Sequence, residues 1–491
     1  MTSSLPVNLY RAEQVRELDR LVIEQGQIPG IKLMERAGSA AFTTLQSLWP
    51  ETRQIAVICG GGNNGGDGYV IARLAHEAGY QVRCLYVKPL EQLQGDAKTA
   101  AERAKQAGVV IDAYVRPKQE ELIVDAILGT GLDRPVAGEL AGVLEELNAL
   151  QAQVFAIDIP SGLNADTGEV MGVAIQAQAT SSFIGLKQGM FTGQGPTCCG
   201  QIHFSDLGAS TDILESLTPS ACLLDFQQLE ALLAPRLPGV HKGHFGHVLV
   251  VGGLPGFSGA IRMAAEAAGR VGAGLVSVAT DPGHAPLISL AVPELMAHGV
   301  GRPTDLGPLI EKCSVIAIGP GLGQSEWSQG LLARVLESSL PLVVDADALN
   351  LLAADPVYHD RWIITPHPGE AGRLLGISTR EVQSDRFSAV LELQQRYGGV
   401  AVLKGNGTLI ADQDGTVSVC PYGNPGMATG GMGDVLTGVL AGLLAQGLAL
   451  ADAARLGVCC HGLAGDAAAL DGERGMLATD LMVELRRLVN P

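Results

Sequence analysis

At 491 residues the chain is too long for one ordinary core; at roughly 100–200 residues per domain it holds two to four. Its 47% hydrophobic content, with 64 glycines and only 4% aromatics, fits Ala/Gly/Leu/Val-rich α/β architecture. A net charge of −18 excludes a nucleic-acid binder, which needs excess Lys and Arg on its binding face. An anionic ligand would be held by local devices instead, such as helix N-termini and bare backbone N–H groups.

Nine cysteines include the adjacent pairs Cys198–Cys199 and Cys459–Cys460, with no C-x-x-C spacing. The N-terminus reaches charged residues at once and carries no apolar signal region. Both features predict reduced thiols and a cytoplasmic location.

In chain order, residues 11–25 and 31–48 predict amphipathic helices packed on a sheet. Residues 54–59 form an apolar strand that breaks into Gly60-Gly61-Gly62-Asn63-Asn64-Gly65-Gly66-Asp67, and a helical run begins at Tyr69. Strand-like runs follow at 81–87, 121–128, 153–159 and 179–185. Strands alternating with helical segments imply a parallel sheet with right-handed crossovers. The spacing Gly60-x-Gly62-x-x-Gly65 formally fits a dinucleotide fingerprint. That fingerprint also wants an acidic residue about 20 positions on, and the next strand ends in Tyr86-Val87-Lys88 without one. The loop reads better as a ligand site of another kind than as a hydride-transfer site or a merely structural turn. Asp125 precedes Gly129-Thr130-Gly131-Leu132-Asp133-Arg134-Pro135, and Asp158 precedes Ile159-Pro160-Ser161-Gly162. Carboxylates at the C-terminal ends of neighbouring parallel strands converge on the crevice where open α/β sheets bind ligands. Capping of the following turns is the plainer alternative for both.

This order of loops resembles the NAD(P)H-hydrate epimerase family over most of residues 10–215. The resemblance implies that Asn63, Asn64, Gly65, Gly66, Asp67 and Gly129, Thr130, Gly131, Leu132, Asp133, Arg134, Pro135 contact the hydrated nicotinamide nucleotide. It implies Asp158 as acid/base, and Asn64, Asp125 and Ser161 as holders of a potassium ion. The ring nitrogen can assist departure of the neighbouring hydroxyl while one carboxylate manages the proton.

Residues 208–225 have turn residues and no clear period, and are the expected domain boundary. Strand runs resume at 246–253, 274–280, 315–323, 341–349, 361–370 and 399–412, with an Ala-rich helix at 259–272 and a helical region from about 433. Val435 to Ala451 carries no charge over 17 residues. Its three glycines and preceding glycine loop favour a core-buried helix over a membrane span.

There is no G-x-x-x-x-G-K-[ST], which excludes a P-loop kinase. Gly430, Gly431 and Gly433 instead place bare N–H groups at a helix start, an anion cradle for a transferring phosphoryl group. Asp434 directly after them is placed to take a hydroxyl proton, and the positive helix end should hold it ionised. Capping alone is its plainer reading. Lys404-Gly405-Asn406-Gly407-Thr408 adds a positive charge beside small residues, as nucleotide phosphates require. His367, stiffly held between Pro366 and Pro368, suits substrate contact. Gly319-Pro320-Gly321-Leu322-Gly323 is a further backbone-lined loop. His241, His244 and His247 invite a zinc reading but lack supporting ligands, and read as a surface or phosphate-lining loop.

The strings T-P-H-P-G-E, K-G-N-G-T and N-P-G-M-A-T-G-G-M-G-D resemble the ADP- or ATP-dependent NAD(P)H-hydrate dehydratases of the ribokinase-like superfamily, over roughly residues 225–490. The resemblance implies that Lys404, Gly405, Asn406, Gly407, Thr408 and Gly433 bind the nucleotide with Mg2+. Ala260, Leu322 or its glycine neighbours, His367 and Asp434 would contact the hydrated cofactor, with Asp434 catalytic. Gly431-Met432-Gly433-Asp434 departs from the G-A-G-D of the sugar kinases.

Two domains are therefore expected. Residues 1–216 are a Rossmann-like three-layer α/β/α domain, and residues 222–491 a ribokinase-like α/β domain with a mostly parallel sheet. The resemblances together imply a bifunctional enzyme that interconverts the R and S forms of hydrated NADH and NADPH and dehydrates the S form with ADP, releasing AMP and phosphate. It would be a homo-oligomer with small-molecule partners and no membrane or nucleic acid. The competing reading is a vitamin or sugar kinase with a non-catalytic N-terminal nucleotide-binding module.

Overall fold

The computed structural model describes residues 5–490. The chain divides into two compact units at Cys222/Leu223.

In the first unit a wholly parallel sheet runs in the order Ile111–Ala113, Gln81–Tyr86, Gln54–Cys59, Leu122–Ala126, Val154–Ile157, Ala179–Phe183, Gln201–Ser205. The two outer strands were not expected from the sequence, because Ile111–Ala113 is short and Gln201–Ser205 only partly buried. The strand order reverses between Gln54–Cys59 and Leu122–Ala126, which opens a crevice at their C-terminal ends. The inner strands are buried on both faces, so they read as continuous apolar runs. Helices Ala12–Glu24 and Gly30–Leu48 pack Val15, Leu18, Leu33 and Leu45 against this core. The short strand Asn8–Tyr10 pairs in parallel with Leu186–Lys187.

In the second unit the order is Met296–Gly299, Leu275–Thr280, His247–Val251, Val315–Ile318, Leu342–Val344, Trp362–Ile364, Val400–Leu403, Thr408–Ala411, Val417–Cys420. The first seven of these run parallel and the last two antiparallel. The apolar run near the C-terminus is two helices, Met432–Ala445 and Leu450–Ala468. Gly438 and Gly442 lie against the backbone of Ala264 and Ala268 in helix Ser258–Arg270, so small residues let the two helices approach closely. Among the described residues no helix is long and apolar enough to cross a membrane.

Candidate active sites

In the first unit, helix Asn63–Glu77 starts at Asn63. Asn63–Asp67 are therefore its first turn, not a loop ahead of a helix at Tyr69. Gly62, the N-cap, has no side chain to satisfy the first N–H groups, which leaves them for an anion. Gly65 and Gly66 are buried beneath that turn. A Cβ on Gly65 would lie 2.1 Å from Gly60 O, and one on Gly66 2.5 Å from Met34 Cε. Neither position has room for a side chain, so any contact they make is through the backbone.

Asn64, Asp125 and Ser161 come together. Ser161 Oγ donates to Asp125 Oδ1 at 2.6 Å and Ser161 N donates to Oδ2 at 2.8 Å. Leu128 N donates to Ser161 Oγ at 2.8 Å, and Asn64 Nδ2 donates to Leu128 O at 2.9 Å. Asn64 Oδ1 is buried with no partner, an orphan acceptor that ordinarily carries a desolvation penalty. Burial pushes the Asp125 carboxyl up to about 6 despite the Ser161 bonds.

Asp158 has φ +68 at the end of its strand, a left-handed conformation unusual for a residue with a side chain. Lys187 Nζ donates to Asp158 Oδ1, and to Ser182 Oγ at 3.0 Å. Lys187 is fully buried and brought there by pairing of its short strand with Asn8–Tyr10. Nothing local marked it; the signal available was a lysine closing the buried run 179–187. Asp158 lines a cavity of about 650 Å³ with Asn64, Asp67, Gly129, Leu132 and Asp19. Burial and then the Asp158 charge push Asp67 well above the carboxylate range. Burial and Asp158 also push Asp19 up to about 7, with Lys187 opposing. Asp133, Arg134 and Pro135 are exposed and lie outside this cavity, because the chain turns away after Leu132.

In the second unit, Lys404-Gly405-Asn406-Gly407-Thr408 is the turn between antiparallel strands Val400–Leu403 and Thr408–Ala411. The buried Arg386 holds it from behind, donating to Leu403 O and Lys404 O at 3.2 and 3.3 Å and to Gly407 O at 3.5 Å. Gly407 is itself buried, so the loop presents Gly405 and Asn406 outward. Lys404 Nζ donates to Asp345 Oδ1 at 2.7 Å and lies 3.9 Å from Glu370 Oε2. Burial would lower the Lys404 pKa, but Asp345 and Glu370 outweigh it and the pKa rises. Thr437 Oγ1 donates to Asp345 Oδ2 at 2.8 Å. Ala346, between Asp345 and Asp347, has φ +50.

Gly433 sits at the start of helix Met432–Ala445, where an added Cβ would be 3.3 Å from Lys404 Nζ and 3.5 Å from Asp345 Oδ2. Any larger residue would crowd the ammonium. Asp434 follows in the first turn. The helix end does not settle its ionisation as the sequence suggested: burial, then repulsion from Asp345, pushes its carboxyl up to about 7 against the pull of Lys404. His461 Nε2 lies 2.9 Å from Met432 O, and burial drops its pKa to about 4, so it braces that turn as a neutral ring.

His367 is the N-cap of helix Pro368–Leu375, its Nδ1 accepting from Gly369 N at 3.0 Å, and its ring is half exposed. Ala260 is partly buried, 3.5 Å from where a Cβ on Gly321 would stand. Leu322 is fully buried, with its N–H donating to Gly319 O and its carbonyl accepting from Ser328 Oγ, which leaves the partly buried Gly321 and Gly323 as the contacts the loop could offer. Gly323 N donates to Asp347 Oδ2 at 2.8 Å. Asp345 and Asp347 were missed because their run read only as a strand, although a D-A-D at a parallel strand's C-terminal end was the available signal. His247 Nε2 lies 2.8 Å from Ser277 Oγ on a strand, while His241 and His244 are exposed on the preceding turn.

A family model described as NAD(P)H-hydrate dehydratase matches residues 248–487, and one described as YjeF-related protein N-terminus matches residues 30–189. The chain is 51% identical over 486 residues to the bifunctional NAD(P)H-hydrate repair enzyme Nnr of Coxiella burnetii, covering 98% of this chain and 99% of that protein. It is 45% identical over 492 residues to the Nnr of Escherichia coli, covering 99% and 95%. The crystal structure of an ADP/ATP-dependent NAD(P)H-hydrate dehydratase from Bacillus subtilis, co-crystallised with ATP/Mg2+, is similar at TM-score 0.51 and 33% identity. That similarity covers 54% of this chain and 96% of that one.

Proposed function

The chain belongs to the bifunctional NAD(P)H-hydrate repair enzymes, and from that premise we propose how its two sites divide the work. The enzyme epimerises hydrated NAD(P)H and dehydrates it. The single observation that carries the division is that each unit holds its own carboxylate–ammonium pair at a glycine-rich helix start: Asp158–Lys187 in the first, and Asp345–Lys404 beside Asp434 in the second.

We assign residues 1–216 to epimerisation and residues 222–491 to dehydration. In the first unit, Asp158 is the acid/base, held by Lys187 beside the Gly129–Leu132 wall. Asn64, Asp125 and Ser161 would hold potassium. They offer hard oxygen donors, and the orphaned Asn64 Oδ1 is the acceptor such an ion would satisfy. The ion would supply positive charge that offsets the buried Asp125.

In the second unit, Lys404 to Thr408 and Gly433 receive the nucleotide, and His367 and Ala260 contact the hydrated ring. Asp434 takes the proton of the ring hydroxyl as the phosphoryl group transfers to it. Phosphate is a far better leaving group than hydroxide, and the ring nitrogen lone pair expels it, restoring the reduced ring. Magnesium would accompany the nucleotide phosphates and supply positive charge against the repulsion that Asp434 feels from Asp345 and Asp347. ADP is the donor in this reading, giving AMP and phosphate, and the S form is the one consumed.

A cytoplasmic homo-oligomer completes the reading. The alternative of a sugar kinase with a silent N-terminal module is not favoured, since the relatives matched over both halves are named repair enzymes.

The test incubates the protein with mixed hydrates of NADH and ADP and follows reduced-nicotinamide absorbance. Wild type recovers both forms. Asp158→Asn should leave the R form behind, and recovery of both by that variant would overturn the epimerase assignment. No recovery by wild type with ADP or ATP would overturn the dehydratase assignment.

A further inference from the structure

Epimerisation poses a problem that one carboxylate does not solve. The hydroxyl must leave one face of the ring and water must arrive at the other. A group fixed on one side cannot protonate the leaving oxygen and also deprotonate the incoming one on the far side.

The cavity holds more proton carriers than Asp158. Asp19 lines it from helix Ala12–Glu24, Asp67 from the first turn of helix Asn63–Glu77, and Asp158 from a strand end. Asp19, Asp67 and Asp158 lie within the field of one fully buried ammonium, Lys187, which is paired with Asp158. Arg16, Lys88 and Asp96 also line the cavity. Asp158 and Lys187 act on Asp19, and Asp19 in turn repels the Asp67 carboxylate.

We propose that Asp19 is the second acid/base of the epimerase cavity and works with Asp158 as a pair serving the two faces of the substrate ring. This rests on the epimerase reading of the first unit. The roles follow from the pairing: Lys187 is bonded to Asp158, while burial and then the Asp158 charge favour Asp19 as the neutral acid, poised near neutrality. Asp67 carries its proton far more tightly, and the first turn of its helix packs against Met34 and Ala97, which leaves it the poorer exchanger.

In the forward step the bond from the carbon beside the ring nitrogen to its hydroxyl breaks. The hydroxyl takes its bonding pair and the Asp19 proton and becomes water. The nitrogen lone pair forms the C=N bond of a cationic ring. Water adds to the other face, the C=N pair returns to nitrogen, and the surplus proton passes to Asp158. One proton has moved from Asp19 to Asp158, and the reverse reaction uses the pair in the opposite sense.

The test compares Asp19→Asn, Asp19→Glu and Asp158→Asn in the full chain, with thermal unfolding as a check on folding. Epimerisation is read by loss of the R hydrate in the presence of excess dehydratase. Wild-type epimerisation in 18O-labelled water should place the label in the remaining hydrate. Asp19→Asn should lower kcat about 10²-fold or more with KM little changed, and should remove the limb of the pH profile near 7. Asp19→Glu should restore part of the rate. If Asp19→Asn does not fold, the profile of Asp19→Glu decides: a displaced limb supports the pair, and an unmoved limb overturns it. A folded Asp19→Asn with wild-type kcat and profile overturns the proposal while an inactive Asp158→Asn keeps the epimerase reading. An active Asp158→Asn overturns that reading itself. Absence of label overturns hydroxyl departure.

Discussion

Lys404 Nζ lies 2.7 Å from Asp345 Oδ1, so the ammonium of the Lys404 to Thr408 turn is anchored by a carboxylate 59 residues earlier in the chain. Asp345 is almost fully buried and also accepts from Thr437 in the helix that carries Asp434. One carboxylate therefore ties together that turn and the helix that carries Asp434.

Removing that charge should separate binding from chemistry less cleanly than a surface change would. Asp345→Asn leaves a buried ammonium without its main partner, at a cost of about 3 kcal/mol. The expected outcome is a lower unfolding midpoint and a dehydration rate reduced at least tenfold, with the KM for ADP raised. Steady-state kinetics at varied ADP, beside thermal unfolding, measures both. Epimerisation by the same protein should be unchanged.

Asp434 predicts opposite trends in activity and stability. As a base it must be ionised, so dehydration should rise with pH through about 7. Asp434→Asn should lower kcat by about 10²–10⁴-fold. Because its folded pKa is raised above the unfolded value, its contribution to stability is fully present below about 4 and is lost as pH climbs through about 7. The Asn variant should therefore unfold at a higher temperature than wild type at pH 8 and show little difference at pH 4. A lower midpoint at pH 8 would contradict the repulsion between Asp345 and Asp434.

The potassium assignment is checked by ion replacement. Epimerisation in potassium chloride should exceed that in choline chloride, and Asn64→Ala should erase the difference. Asp125 titrates at about 6 in the folded chain, so the potassium concentration needed for half activation should rise as pH falls below that value. An equal rate in both salts would remove the ion from the mechanism.

Lys187→Met tests the cation of the first cavity. It removes the bonded partner of Asp158. Epimerisation should fall by at least tenfold at pH 7. The rate of dehydration of the pure S form should stay at the wild-type level.

Arg386→Met probes the support of the nucleotide turn. The guanidinium holds carbonyls at both ends of the Lys404 to Gly407 turn. Its loss should raise the KM for ADP more than it lowers kcat, because the turn loosens while Asp434 is untouched. Equal effects on both would mean that the turn also orders the reacting groups.

By itself the sequence determined the two α/β units, the parallel strands and the glycine-rich loops at strand ends. Apolar runs that break into glycine are local signals, and Gly430 to Asp434 could be placed at a helix start from them, whereas Asn63 to Asp67 read as a loop ahead of one. The grouping of Asn64, Asp125 and Ser161 came from the family resemblance; the parallel strands alone pointed to Asp125 and Asp158 near neighbouring strand ends. Only the tertiary structure decided which charges meet. Lys187 reaches Asp158 because a two-residue strand pairs with Asn8–Tyr10, and Asp19 enters the cavity on the helix that follows. No local pattern encodes either. Tertiary packing also turned Leu322 into the core, drew the wall away from Asp133 to Pro135, and raised the Asp434 carboxyl against the expectation from its helix. The reason is physical: periodicity and glycine placement act over a few residues, whereas burial and charge pairing depend on whatever the fold brings within a few ångströms.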